Sequence, residues 1–465
     1  MIALPPTGLR EQIASAETSS LEATESYLER IERFDGDIGA FITVDADSAL
    51  EQARAADEAL ESGRSLGLLH GLPVALKDNI DTAGLRTTVG SSFFASRVPE
   101  TDAEVASRLR QAGAVLLGKV TLHEFAYGAT NANPHFGPCR NPWDLSRIPG
   151  GSSGGSGAAV AAGLCAAALG TDTGGSVRIP AALNGVSALR PSNGRVSIRG
   201  VFPITWTFDT VGPIAHAVAD LAAFLDVLAG YDSDDPHSMN VPTDAYTQAL
   251  NSGLDGLRIG VPRNFFFEDV DPDIVSLVRA AAAILAQGGA ELDEIDLPGA
   301  DTAVESATGM IRAEAFAIHH DRLTERAEGF GEDVRRRLQL GQSITGADYA
   351  EHRQHAREWC RTVARAFEQV DLILSPSTGT TAPPAGVEMI ETTQRLVKLT
   401  YGWSLAGLPA LSIPCGFSHD GLPVGLQLAA ARSQETALIR AGAAYQRTTD
   451  WHLREPVLSS TKGTT

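Results

Sequence analysis

Three short segments carry side chains that together can do acyl-transfer chemistry. LPVALKDNI (72–80) is an apolar run whose polar end begins at Lys77, PGGSSGGSG (149–157) presents Ser152 and Ser153, and GTDTGGSVRIP (170–180) presents Ser176 behind Gly174 and Gly175. A serine hydroxyl is a weak nucleophile and needs a base beside it. A lysine just past a buried strand is partly desolvated, which disfavours its charged form, and a neutral amine is a general base. Paired glycines free backbone amides to point at a developing oxyanion. Position alone also suits Lys77 as a surface lysine at a strand end, since lysines are mostly exposed.

Other readings compete for the glycine-serine stretch. By composition it is a flexible spacer. It runs without a break, however, into the densely apolar GAAVAAGLCAAAL (157–169), and the second glycine-serine cluster follows directly. A spacer has no need to be packed in this way. A phosphate loop requires GxxxxGK[ST]; the nearest approach, GAVLLGKV (113–120), has valine where the hydroxyl belongs and an apolar strand where exposed amides are needed. GSSGG formally matches the nucleophile elbow GxSxG, with Ser153 attacking. An elbow follows a strand directly, whereas the preceding NPWDLSRIP holds two prolines and a turn, and no later Asp-then-His pair stands out among eleven histidines.

The elements that must position these residues follow from hydrophobic periodicity. SSLEATESYLERIER (19–33) places Leu21, Thr24, Tyr27, Leu28 and Ile31 on one helical face behind a capping serine, and a second amphipathic helix runs from about Ala46 to Glu61, stopping at Gly63. LPVALKDNI then reads as a buried strand, AEVASRLRQAG (103–113) as a helix and AVLLGKV (114–120) as a strand. This alternation predicts an α/β fold with a mostly parallel sheet. Residues 157–169 read as a slim buried helix, and 218–370 as a helix-rich, charged region interrupted by short strands such as LRIGVP. Strands return in DLILSP (371–376), ALSIPCGF (410–417) and PVGLQLAA (423–430), while the tail reads as flexible.

Composition narrows the function classes. The chain has 465 residues, 43% of them apolar, which suffices for a large core. A formal net charge of −20 opposes binding to nucleic-acid phosphates or an anionic membrane. Cys139, Cys165, Cys360 and Cys415 lie far apart, suggesting neither a zinc site nor a disulfide framework and fitting a reducing cytoplasm. No export signal or membrane-spanning run is evident.

Taken together, GLPVALKDNIDTAG, GAVLLGKVTLHEFAYGATNANPHFGPCRNPWD, IPGGSSGGSGAAVAAGLCAAALGTDTGGSVRIPAALNGVSALRPSNGRVS, LAGLPALSIPCGF and GLPVGLQL resemble the amidase signature family over nearly the whole chain. The resemblance implies an α/β amidase signature fold, a large mixed, mostly parallel twisted sheet covered by helices on both faces. It implies one domain over 1–465: N-terminal helices to 64, a core over 65–215, a variable region over 216–370, a return to the sheet over 371–455 and a tail over 456–465. It further implies a Ser-cisSer-Lys triad, with Lys77 as base, Ser152 as the bridging serine behind a cis peptide, and Ser176 as nucleophile. The amides of Thr173, Gly174, Gly175 and Ser176 would form the oxyanion hole, supported by Ser153, Asp172 and Arg178. Ser152 and Ser176 flank the small-residue segment, so both ends of one packed unit can converge. The chain departs from the family at RPSNGRVS, where Arg190 and Asn193 stand in place of the usual lysine and tyrosine. The implied reaction is hydrolysis of an amide, anilide or carbamate C–N bond without metal or organic cofactor. The alternative is the glutaminase subunit of a tRNA-dependent amidotransferase; a GxSxG esterase or a silent binding protein stands further off. Specificity is expected from 127–137, 300–345 and 380–405, with Tyr127, Phe316, Met389 and Trp403 lining an apolar pocket. The expected partner is a small amide-type substrate, with no direct nucleic-acid or membrane contact and a homodimer left open.

Overall fold

The protein is described here by a computed structural model covering residues 7–64 and 67–459; the expected flexible tail lies outside the described residues from 460 onward. Ser19 caps the helix Ser20–Ile38: its hydroxyl accepts from Glu22 N while the Glu22 carboxylate accepts from Ser19 N, a reciprocal pair worth about 1 kcal/mol. Thr24, Tyr27 and Ile31 of its predicted face are buried, and Leu21 and Leu28 pack at its edge. The second helix spans Ala46–Glu61 and buries a stripe of alanines, Ala49, Ala53, Ala56 and Ala59.

Among the described residues eleven strands form one sheet. Pro73–Lys77 lies between Val115–Val120 and Ala167–Thr171, parallel to both. A second parallel block joins Arg258–Pro262 to Leu372–Pro376 and Glu291–Ile295. Antiparallel pairings connect the blocks through Val211–Ala215, Ser187–Arg190, Ala410–Phe417 and Pro423–Ala430. The C-terminal third therefore returns to the sheet that holds the lysine strand. It carries the side chains that later prove to hold Arg178.

The segment 157–169 is not one helix. A buried helix spans Gly154–Ala161, and Ala167–Thr171 is a central strand. Alanine favours helix intrinsically, but a five-residue stretch buried on both faces between two strands gains its ladder and its packing as a strand. The helix is slim because the core leaves no room: a Cβ on Gly155 would sit 2.5 Å from Thr121 O. Its C-terminal carbonyls, Ala162 O and Gly163 O, accept from the Arg30 guanidinium at 2.7 Å each, a cation where the helix dipole is negative. The helix-rich region is built mainly from Ala300–Arg326, Glu332–Gln342 and Gly346–Gln369, the first packing against each of the other two. No helix among the described residues is long and apolar enough to cross a membrane.

Candidate active site

Lys77 ends its strand fully buried, with Nζ 2.8 Å from Ser152 Oγ and 2.7 Å from Thr171 Oγ1. Burial pulls its ammonium down to about 7, against the opposing influence of Asp209 and Asp172. The lysine is thus held by two neutral hydroxyls, which suit an amine as well as an ammonium. The Gly151–Ser152 peptide bond is cis, and Ser152 O accepts from His123 N at 3.1 Å, which ties the serine to the neighbouring loop.

Ser176 is half-buried at a cavity lined also by Thr173, Gly174, Tyr127, Ile204 and Tyr401. Its link to the lysine side passes through the backbone, Ser153 N donating to Ser176 O at 3.2 Å. No hydrogen bond joins the Ser152 and Ser176 hydroxyls among the described residues; catalytic contacts commonly close only when substrate is bound. Ser153, the residue of the elbow pattern, is locked away. Its hydroxyl donates to Thr171 O at 3.1 Å and accepts from Thr171 N at 3.3 Å, and it is fully buried. The phosphate-loop candidate fares no better: 115–120 is a wholly buried strand with Lys119 inside it.

Asp172 organises the loop that carries Ser176. Its carboxylate accepts from Gly175 N at 2.8 Å and Val177 N at 3.2 Å, from Arg178 Nε and Nη2 at 3.0 Å, and from Arg190 Nη1 at 2.9 Å. Burial alone would raise its pKa, but Arg178 and Arg190 hold it well below the usual carboxylate range. Burial brings the Arg190 guanidinium down to about 10 against the pull of Asp172. Arg178 is held in turn by Gln427 Oε1 at 2.8 Å, Ser404 Oγ at 2.8 Å and Thr400 O at 3.2 Å. The departure at Arg190 therefore touches this hub; Arg190 also donates to Phe208 O at 2.9 Å and to the Asn193 side chain.

Because Gly175 N is committed to Asp172, the loop offers three unpaired amides among the described residues, those of Thr173, Gly174 and Ser176. Gly174 must be glycine for space: a Cβ there would stand 2.1 Å from Tyr401 Cε1.

Of the four side chains expected to line an apolar pocket, Tyr127 faces the Ser176 cavity. Met389 lines a neighbouring cavity with His123 and Asp333. Trp403 is fully buried and stacks on Phe266 at 5.0 Å, and Phe316 packs edge-on to His320 at 5.5 Å. Neither lines the cavity, because their helix faces turn toward the core and along the helix surface respectively. Sequence reasoning missed Asp209, whose half-buried carboxylate accepts from Thr173 Oγ1 at 2.6 Å, Ile204 N at 2.8 Å and Thr205 N at 3.2 Å, joining two walls of the cavity. It also missed Thr171, Tyr401, and Arg337, the cation in the cavity wall. A lone Asp before an apolar strand and one Arg within a run of three gave no signal. Among the described residues no cluster of His, Cys, Asp or Glu could hold a metal ion.

The profile of the amidase family matches residues 22–439. The chain is 43% identical over 472 residues to the glutamyl-tRNA(Gln) amidotransferase A subunit of Roseiflexus castenholzii, covering 96% of each. Its structure resembles, at a TM-score of 0.92 and 36% identity, a chain from a vestigial protein complex bearing on the evolutionary origins of an s-triazine catabolic enzyme, covering 96% of this chain and 98% of that one. It also resembles the peptide amidase of Stenotrophomonas maltophilia, with a TM-score of 0.86, 32% identity, and coverage of 98% and 99%.

Proposed function

The chain belongs to the amidase family, and from that premise we propose that it hydrolyses the C–N bond of a small amide through an acyl-enzyme on Ser176. The observation that carries this reading is the buried Lys77 amine, 2.8 Å from Ser152 Oγ, beside the loop that presents Ser176 to a cavity. Neutral Lys77 accepts the Ser152 proton as Ser152 accepts that of Ser176, and Ser176 Oγ attacks the carbonyl carbon. The N–H groups of Thr173, Gly174 and Ser176 receive the oxyanion. As the tetrahedral intermediate collapses, the C–N bond breaks and the proton returns through Ser152 to the departing nitrogen, leaving an ester on Ser176. Water attacks that ester by the same relay and releases the acid. Asp172, Arg178 and Arg190 hold the loop in place, and Ser153 fixes the turn against Thr171.

The relatives favour the form in which such a chain is the glutamine-hydrolysing subunit of a tRNA-dependent amidotransferase, passing ammonia to a partner. The likeness to a peptide amidase supports a second form, a free-standing hydrolase. One experiment separates them: the purified chain is given glutamine, primary amides, anilides and carbamates, with and without candidate amidotransferase subunits, and ammonia or amine release is followed. The subunit form predicts glutamine turnover that depends on the partner. Brisk turnover of simple amides by the chain alone would contradict it.

A further inference from the structure

The cavity at Ser176 adjoins a second one. Tyr127, Ile311, Arg337, Thr393, Val397 and Tyr401 line both, and the second reaches Arg312, so the two form one funnel. Two guanidinium groups line this funnel and no carboxylate does, in a chain whose net charge is −20. Arg337 is largely committed: Nε donates to both Asp333 oxygens at 3.0 and 3.1 Å, and Nη2 to Met389 O at 2.9 Å and Thr393 Oγ1 at 3.0 Å. Arg312 is not. It sits half-buried on the helix Ala300–Arg326, with no ion pair or hydrogen bond among the described residues. A partly desolvated guanidinium without a counter-ion is costly to keep, and a planar carboxylate is the ligand it fits best. An ammonium entering the same funnel would meet cations and no acid.

The geometry points to a substrate class: the funnel selects amides whose far end is a carboxylate and which carry no free ammonium, that is, monoamides of short dicarboxylic acids, with Arg312 as the specificity-determining residue. This rests on the amide-hydrolase reading. Under it, glutamine offers the carboxylate but gains nothing from its ammonium, so its des-amino analogue glutaramate is the better substrate.

The test uses the full chain and three compounds of matched length: glutaramate, glutamine and pentanamide. A charge-assisted hydrogen bond to a carboxylate corresponds to roughly 10- to 100-fold in affinity. Glutaramate is therefore expected to exceed pentanamide in kcat/KM by at least about tenfold, with glutamine no better than glutaramate. Arg312→Gln should remove the preference, chiefly through a raised KM for glutaramate. Binding is read separately by calorimetry in Ser176→Ala, which needs no turnover. Glutaramate binding there, lost when Arg312→Gln is added, supports the inference even if the wild-type chain cleaves none of the three, an outcome that would count against the hydrolase reading alone. Equal binding of glutaramate and pentanamide, no binding of any of the three, or glutamine favoured tenfold over glutaramate would overturn it.

Discussion

At the scale of single residues, the protonation state of Lys77 decides whether the proposed relay can start. Burial brings the group to about 7, and only the neutral amine can accept a proton, so kcat/KM should rise with pH through about 7 and level off above it. The charged groups that act on it are Asp209 and Asp172, and Asp172 is neutralised by Arg178 and Arg190. Asp209 therefore has two effects, raising the Lys77 pKa and pinning Thr173 and Ile204 at the cavity wall. Asp209→Asn keeps the shape and removes the charge. It should shift the acid limb of the pH profile to lower pH and reduce kcat/KM about tenfold or more, as loss of a charge-assisted hydrogen bond implies. An unshifted limb would confine Asp209 to a structural role.

At the scale of elements, the proposed chemistry depends on how closely the loop that carries Ser176 is packed. Gly174→Ala would push a Cβ into the Tyr401 ring, so either the ring or the loop must move. Overpacking of this kind costs about 1–3 kcal/mol of stability, and displacing one oxyanion donor costs about 3–4 kcal/mol of transition-state stabilisation. The variant should fold with a lowered Tm and lose kcat by two orders of magnitude or more, as read by thermal unfolding and steady-state kinetics; wild-type kcat would contradict the assigned role of that amide. Much of this element-level arrangement was legible in the sequence. Lys77 closes an apolar strand, Ser19 and Glu22 mark a helix start, and the two glycine-serine clusters flank a small-residue segment. The split of 157–169 into helix and strand was not legible, because alanine and glycine fit both and only neighbouring strands decide. Trp403 and Phe316 show the same limit: residue type indicates that a ring will be buried, whereas the facing of its helix decides whether it meets substrate or core. Asp209, Arg312 and Arg337 belong to no local pattern; the fold gathers them at one cavity system from distant parts of the chain.

At the scale of the whole molecule, residues far apart in sequence depend on one another. Lys77 enters from the first parallel block, Ser176 from the loop after the central strand, and Arg178 is held by Thr400, Ser404 and Gln427 from the C-terminal return. The helix-rich region supplies Ile311, Arg312 and Arg337 to the two joined cavities at Ser176. In the proposed mechanism this assembly activates Ser176 through Lys77. Labelling with a serine-directed fluorophosphonate, located by peptide mass spectrometry, tests it most directly. A single adduct on Ser176 is expected, lost in Ser176→Ala and strongly slowed in Lys77→Met while both variants stay folded; an adduct on Ser153, or labelling of Ser176 undiminished in Lys77→Met, would refute that role of Lys77.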